Sequence, residues 1–264
     1  MLKNGSFTNG WTDMPPAPGN LINQQPNSWQ LTWIEPGNSL FGAGDKATGV
    51  PECVHKLARQ LPAHEQLGAK NALILAGDAT YKIFHFGGAF GAELKQTVTG
   101  LKPGSKATLT APVLAVLYDE TDPYGAESGV WVNGSGKWVN GGKMGNRKWY
   151  RHKVEFTVPA TGQAMISIRV KSKWPRKKDF FIDGITLNAE TVAHATSSPP
   201  TEAGTGSTTE ATSEANKTDS QPVKKEKIVV TVPARMKVVK ATSDEVDTVV
   251  IVVPKGTRIK VKKS

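Results

Sequence analysis

Cysteine is nearly absent from this sequence of 264 residues. Because Cys53 is the only one, no disulfide can form within the chain, and the fold must rest on an apolar core. Long apolar runs are missing too: no stretch of about 18 apolar residues occurs, which predicts no membrane-spanning helix. The opening residues MLKNGSFTNGW lack the apolar run of a signal peptide. We therefore expect a protein that stays inside, leaves by another route, or is cut from a longer precursor.

Recognisable catalytic motifs are also missing. The sequence has no His-Glu-x-x-His, no paired Cys-x-x-Cys and no phosphate-binding glycine loop. Cys53 and His55 are two positions apart, which on a helix would point their side chains in different directions, so a small buried thiol is the simpler interpretation. Several carboxylates are present, but no motif singles out a pair for glycoside hydrolysis. The sequence therefore predicts a protein that is not an enzyme, with a hydrolase acting on sugar or peptide as the third alternative.

What the sequence does have is a surplus of positive charge. Lysine and arginine number 33 against 23 acidic residues, which gives a net charge of +10. Such a balance suits polyanions such as acidic polysaccharide, cell wall, membrane headgroups or nucleic acid. Simple solubility is the competing interpretation. Nucleic acid is the partner we expect least, because the aromatic pattern described below suits a glycan.

Composition divides the chain into three parts. Residues 1–187 contain short alternating segments typical of β-strands, and residues 188–226 consist largely of Thr, Ser, Ala, Glu and Pro. The second part has too few apolar residues to fold and predicts a disordered linker. Residues 227–264 are rich in Val, Ile and Lys and predict a small basic β tail. That tail could anchor the protein, oligomerise, or bind an anionic surface.

The first part predicts an all-β fold. In 164–170, apolar residues alternate with Met165, Ser167 and Arg169, as in a strand with one buried face. Lys102-Pro103-Gly104-Ser105 predicts a tight turn. One short helix is expected at 52–61, between Pro51 and Pro62. The strand candidates, which together favour a two-sheet sandwich, are 71–75, 81–86, 93–99, 107–116, 129–132, 151–158, 164–171 and 180–187.

Tryptophan is concentrated where the sequence is rich in glycine, asparagine and lysine. Four of the seven tryptophans fall between 131 and 174, and such segments read as surface loops. An exposed ring can stack on a sugar or anchor a partner, while hydrogen-bonding neighbours fix its orientation. For each ring the alternative is a place in the core, above all for Trp131 and Trp149. The candidate ligand-binding residues are Tyr124, Trp131, Trp138, Trp149 and Trp174, with Asp122 and Arg147 as polar neighbours.

A basic cluster surrounds Trp174-Pro175. Positive side chains beside an aromatic ring could bind phosphate, sulfate or a uronate while the ring stacks. A solvated loop is the competing interpretation. The cluster comprises Lys171, Lys173, Arg176, Lys177 and Lys178.

Several short motifs together resemble the carbohydrate-binding modules with a galactose-binding-like jelly-roll fold. The chain opens with Leu2-Lys3-Asn4-Gly5-Ser6-Phe7, and a Gly-x-x-Ala-Leu strand follows at 68–75. A Gln-x-Val strand and a Pro-Gly turn occupy 95–104, and an aromatic-x-x-Asp-x-x-x-Leu strand closes the pattern at 180–187. The resemblance covers about residues 2–187. It implies a jelly-roll β-sandwich.

The resemblance also implies a function and a metal. Modules of this kind are non-catalytic binders of polysaccharide or cell-envelope glycans, which implies adhesion and an extracellular, cell-surface or virion location. A structural or decoration protein of a virion or cell-surface assembly is the alternative, with the tail as anchor. The family commonly holds a structural calcium ion, which the resemblance places at Asn4, Ser6 and Asp183. Here Thr8 stands where the family usually has Glu, so one carboxylate is missing.

Overall fold

In a computed structural model of the protein, the described residues are 1–15, 21–42 and 44–192, together with two short strands at 228–230 and 261–263. Residues 1–192 lie within one unit, whose regular structure is almost entirely β. A single-turn helix, α1 (Gly141–Met144), and two 3₁₀ turns, Ala58–Gln60 and Ala63–Glu65, interrupt it. The strands are β1 (Trp11–Asp13), β2 (Gln24–Pro26), β3 (Gln30–Trp33), β4 (Glu52–Leu57), β5 (Ala79–His85), β6 (Phe90–Val98), β7 (Lys106–Val116), β8 (Ala126–Val132), β9 (Ser135–Asn140), β10 (Trp149–Thr157), β11 (Ala164–Ser172), β12 (Lys178–Ile182) and β13 (Thr186–Ala189).

Two antiparallel sheets face each other across the core. One has the order β10-β7-β12-β5-β4, with β13 also paired to β7, and the other has the order β3-β6-β11-β8-β9. β1 and β2 form a separate two-stranded ribbon. The chain passes repeatedly from one sheet to the other, at β3 to β4, β5 to β6, β6 to β7 and β7 to β8. This confirms the predicted jelly-roll β-sandwich.

The core follows from the alternation of side chains along each strand. In β11, the inward residues Ala164, Ile166, Ile168 and Val170 are fully buried, while Met165 is exposed on the other face. Large rings from several strands and loops fill the space between the sheets, and truncating one of them to alanine typically costs about 3–5 kcal/mol. The fully buried aromatic side chains are Phe7, Tyr81, Phe90 and Phe180.

Two tight turns fix the register of neighbouring strands. The expected turn at 102–105 is present: the Ser105 amide donates to the Lys102 carbonyl at 3.2 Å, and Gly104 has a φ of 74°. β8 and β9 are joined through Asn133 and Gly134, both at positive φ. That conformation suits a two-residue hairpin, because its twist matches that of the strands.

Two local predictions were wrong. Residues 52–57 form β4 rather than the start of a helix, because they pair with β5 from Glu52↔Phe84 to Leu57↔Ala79. Only 58–60 make a helical turn, of the 3₁₀ type. The segment 71–75 is not a strand but part of an irregular connection between β4 and β5.

Most of the predicted linker, 188–226, and tail, 227–264, lies outside the described residues, so those two assignments stay predictions. Within that part the structure describes an antiparallel pair, β14 (Ile228–Val230) with β15 (Val261–Lys263). Among the described residues, no helix has the length and apolar character needed to cross a membrane.

The sandwich has two distinct ends. At one end the connections 34–51, 86–89, 117–125, 141–148 and 173–177 leave the sheets together, because Lys178 pairs with His85, and Ser172 with both Phe90 and Ala126. At the opposite end, the Met1 amino group donates to the Thr99 carbonyl at 2.8 Å, and the Val192 amide donates to Gly100 at 3.1 Å. Residues 1 and 192 therefore meet at the β6–β7 turn.

Candidate functional site

Four exposed aromatic rings gather at the end of the sandwich where the connections 86–89, 117–125 and 173–177 meet. We call them the loop-end platform: Phe86, Tyr118, Tyr124 and Trp174. Their exposed fractions are 79%, 43%, 54% and 37%. Every exposed aromatic side chain among the described residues belongs to this group. Exposed aromatic clusters mark interaction surfaces.

Asp122 holds two of the platform rings. One carboxylate oxygen accepts the Tyr124 amide at 2.8 Å, and the other accepts the Trp174 indole N–H at 3.0 Å. Asp122 is itself held, because its amide donates to Glu120 at 3.0 Å. One short acidic side chain thus orients the Trp174 ring and holds the backbone at Tyr124, in two separate connections.

Further contacts tie the connections 117–125 and 173–177 to each other. The Lys173 amide donates to the Gly125 carbonyl at 2.9 Å, and the ammonium of Lys177 lies 4.3 Å from the Tyr118 ring centroid. Beneath them Lys178 and Glu120 form an ion pair of 2.8 Å, with side chains 0% and 2% exposed. The platform therefore rests on a fixed base, as a stacking surface requires.

The structure does not assemble the basic cluster as an anion-binding site. Lys171 and Lys173 both contact Glu127, at 3.0 and 3.7 Å, and Arg176 pairs with Asp119 at 3.4 Å. Lys178 is sealed inside with Glu120. Of the five basic residues, only Lys177 has no carboxylate within salt-bridge distance among the described residues. The local charges largely cancel, so this end of the sandwich suits an uncharged ligand better than a polyanion.

Trp131 and Trp138 form a second aromatic group, on the outer face of the five-stranded sheet. Their ring centroids are 4.9 Å apart at an interplanar angle of 73°. The indole of Trp131 lies over Gly129 and Gly136, where any Cβ would collide with it. Glycine at those two positions is what lets the ring lie against the sheet.

The faces of these two rings are already in contact with other groups. The Arg169 guanidinium lies 4.7 Å from the Trp131 ring centroid, and the Lys171 ammonium lies 4.3 Å from that of Trp138. Phe41, from the connection 34–51, lies 5.3 Å from Trp138. Both indoles are half-buried. They are less accessible for stacking than the loop-end platform.

Trp149 and Arg147 lie on the outer face of the other sheet, where Arg147 lines a small cleft together with Tyr118. The Trp149 indole packs beside Leu114 and donates to the Ala72 carbonyl at 2.8 Å. Arg147 forms an ion pair with Glu65. Both residues hold the β4–β5 connection against the sheet, so the structure does not bring them together with the other candidates.

The three residues implied for calcium lie near one another but already have partners. Asp183 is fully buried and accepts amides of Leu75 at 2.6 Å, Ala76 at 3.0 Å and Gly184 at 2.6 Å. The Asn4 side-chain oxygen accepts the Asn9 amide. Calcium needs six to eight oxygen ligands, and this set offers one carboxylate with its oxygens turned to backbone N–H groups. In this arrangement Asp183 holds a turn by accepting three backbone amides. Calcium binding at this site stays a prediction.

Cys53 and His55 do not form a reactive dyad. They share the inner face of β4, where burial raises the pKa of the Cys53 thiol far above its ordinary range. Burial also lowers the pKa of His55 to about 4. Activated cysteines need a lowered pKa. Across the part of the chain that the structure describes, no group of three His, Cys, Asp or Glu side chains could hold a metal ion.

The sequence analysis missed two platform residues, Phe86 and Tyr118. Phe86 follows a strand and precedes Gly87-Gly88, and Tyr118 follows β7 directly. The available signal was their place at strand ends next to turn residues, which is where exposed loop rings occur. Tyr124, Trp174 and Asp122, by contrast, were among the candidates.

Sequence comparisons identify no relative: no family profile and no curated protein matches the chain. Some solved structures align with part of the chain at low identity. A family 61 carbohydrate-binding module in complex with beta-1,4-galactotriose aligns with 72% of this chain and 97% of its own, at 17% identity and a TM-score of 0.43. A xylan-binding domain from Paenibacillus barcinonensis aligns with 72% of this chain and 94% of its own, at 11% identity and 0.31. The enzymatically active domain of a bacteriophage CBA120 tailspike protein aligns with 62% of this chain and 19% of its own, at 12% identity and a TM-score of 0.39.

Proposed function

We propose that this chain is a non-catalytic carbohydrate-binding module and that the loop-end platform binds an uncharged polysaccharide. The observation that carries the proposal is the set of four exposed rings, three of them on the interlocked connections 117–125 and 173–177. Sugar rings present C–H faces that stack on indole and phenol, and hydroxyl groups that bond to polar neighbours. Because Asp122 fixes the Trp174 ring and the backbone at Tyr124, this part of the platform loses little conformational freedom on binding.

The charge balance supports the choice of an uncharged ligand. Four of the five basic residues near Trp174 are paired with carboxylates. Of those five residues, only Lys177 would be left as a free cation for a polyanion. The role in adhesion and the extracellular or surface location belong to this proposal as its consequences, since insoluble or envelope polysaccharides are the ligands such a platform suits.

Retention on polysaccharide gels tests the platform. We expect Trp174→Ala and Tyr124→Ala to weaken retention on a neutral polysaccharide by about 2 kcal/mol each, the scale of a binding hot spot, or about 30-fold in Kd. The probes are galactan, xylan, β-glucan and mannan, with polygalacturonate as the anionic comparison.

Two matched variants decide between surfaces. Met165→Ala removes an exposed apolar side chain beside the β8–β9 hairpin, at the end of β11 opposite to the platform, and should leave retention unchanged. Trp138→Ala probes the sheet face. Equal retention of the wild type and both platform variants, or loss confined to Trp138→Ala, would overturn the assignment to the loop end.

A further inference from the structure

A small polar cleft lies on the outer face of the six-stranded sheet. Its volume is about 200 Å³. At about 30 Å³ per water molecule this is room for roughly seven waters, which suits one sugar ring rather than a drug-sized ligand. The floor is apolar, from Leu73, Val116 and Phe181. The rim is polar: Lys56, Glu65, Lys82, Tyr118, Arg147 and Asp179.

Asp179 has an incomplete set of partners. Lys82 and the Tyr118 hydroxyl both contact the same oxygen, Oδ2, at 2.9 Å each. Oδ1 is buried and has no hydrogen-bond partner among the described residues. A buried carboxylate oxygen without a donor is unfavourable. Asp179 lines the cleft together with Tyr118, so a ligand hydroxyl bound there can supply the missing donor.

The rim mixes donors with acceptors. Lys56, Lys82 and Arg147 are cations, and Glu65 and Asp179 are anions. Lys56 has no carboxylate within salt-bridge distance among the described residues. A phosphate would lie against two carboxylates and an amine against three cations. A hydroxyl group both donates and accepts, so a neutral polyhydroxylated ligand satisfies both sets.

We propose that this cleft is a second binding site, for a single neutral sugar residue, in which a ligand hydroxyl donates to Asp179 Oδ1 and another accepts from Lys56. The apolar floor meets the C–H face of the ring. Tyr118 belongs both to this rim and to the loop-end platform, so the two sites are neighbours. Apart from Tyr118, the residues that line the cleft are not part of the platform, and Trp174 and Tyr124 are not among them.

Amide and side-chain NMR titrations of the full chain test the second site. The probes are methyl β-glucoside, methyl β-galactoside and methyl β-xyloside, with glucuronate and glucosamine as charged comparisons. We expect at least one neutral glycoside to shift resonances of Lys56, Lys82 and Tyr118. Lys56→Met, which removes a side chain without a partner and so should not affect folding, should raise its Kd about ten- to a hundredfold. Tyr118→Phe should weaken binding less.

Platform variants separate the two proposals. Trp174→Ala should weaken polysaccharide retention about 30-fold and leave the glycoside shifts at Lys56 intact, whereas Lys56→Met should weaken glycoside binding and leave retention unchanged. The second site is overturned if no neutral glycoside shifts these resonances at 50 mM, about the weakest affinity worth assigning. It is equally overturned if glucuronate or glucosamine binds more tightly, or if Lys56→Met leaves the Kd unchanged, since water alone then fills the cleft.

Discussion

Two histidines are buried in a neutral state on opposite sides of the core. His55 stacks on Trp11 with ring centroids 4.5 Å apart, and neither ring nitrogen has a hydrogen-bond partner among the described residues. His152 Nε2 is 2.8 Å from the Ser128 hydroxyl. Burial lowers the pKa of both rings to about 4 from an ordinary value of 6.5. Protonation therefore favours the unfolded chain.

This predicts a specific acid sensitivity. The stabilising contribution of each neutral ring is complete above pH 6.5 and is lost as the pH falls towards 4, because the unfolded state then binds the proton first. Thermal unfolding at pH 7, 6, 5 and 4 measures it. His55→Phe keeps an aromatic ring against Trp11 and should be less sensitive to pH than the wild type. Parallel curves for the two proteins would contradict the prediction for His55.

Asp183 joins the β4–β5 connection to the end of β12. Its replacement by alanine leaves three amides without an acceptor, and we expect a loss of about 3 kcal/mol at about 1 kcal/mol per lost bond. The free energy of unfolding in urea measures this. Asp78→Ala, at an exposed position in the same region, is the matched control and should change little.

The same unfolding curves, repeated with calcium chloride and with EDTA, address the metal. The predicted calcium ion should raise the midpoint relative to EDTA, whereas the curves coincide if Asn4, Ser6 and Asp183 keep only their present partners. A higher midpoint in calcium that Asp183→Ala abolishes would instead establish the calcium site.

At the scale of elements, the base of the platform depends on one buried ion pair. Removing Glu120 leaves the Lys178 ammonium uncompensated in the core, which typically costs about 3–5 kcal/mol. For a domain of this size that corresponds to a Tm lower by about 10 °C. Glu120→Ala measured by calorimetry tests this, with Asp119→Ala as control.

Asp119 is well matched because it lies next to Glu120 and also pairs with a cation, Arg176, but its side chain is 77% exposed. Exposed pairs contribute about 0–1 kcal/mol. Similar Tm values for the two variants would show that burial of the Lys178–Glu120 pair is unimportant.

The longer strands could be predicted from sequence, and the shorter ones could not. β7 and β11 carry enough alternation to be recognised, whereas β1 to β3 have three or four residues each and depend on partners for their existence. The helix expected at 52–61 failed because pairing with β5 outweighs the local signal of the flanking prolines. The local pattern of residues is enough to predict a long strand. For short strands and for β4, pairing with a distant strand determines the structure.

The candidate site was only partly predictable for a related reason. Asp122, Tyr124 and Trp174 were found because aromatic and polar residues stand out in a glycine-rich context. That same signal also selected Trp149, which the structure places under the β4–β5 connection. Whether a ring is covered depends on which distant segment packs on it, and composition carries no information about that.

At the scale of the whole molecule, the two sandwich sheets draw every strand that the structure describes for them from 30–189. A chain ending at 192 should therefore unfold cooperatively. We expect its Tm to lie within about 3 °C of that of the full chain. For a domain of this size, such a shift corresponds to less than about 1–2 kcal/mol in the free energy of unfolding. Calorimetry and polysaccharide retention of both forms provide the measurement. Aggregation of the short form, or loss of its binding, would show that later residues contribute to the fold.

The meeting of residues 1 and 192 at the β6–β7 turn determines how the module can be mounted. Anything fused at residue 1 or residue 192 is attached at the end of the sandwich opposite to the exposed rings. A bead, a reporter protein or a catalytic neighbour attached there would leave the rings directed outward, free to touch a surface. The sandwich can therefore present its rings to a surface while it is attached to another protein at its opposite end.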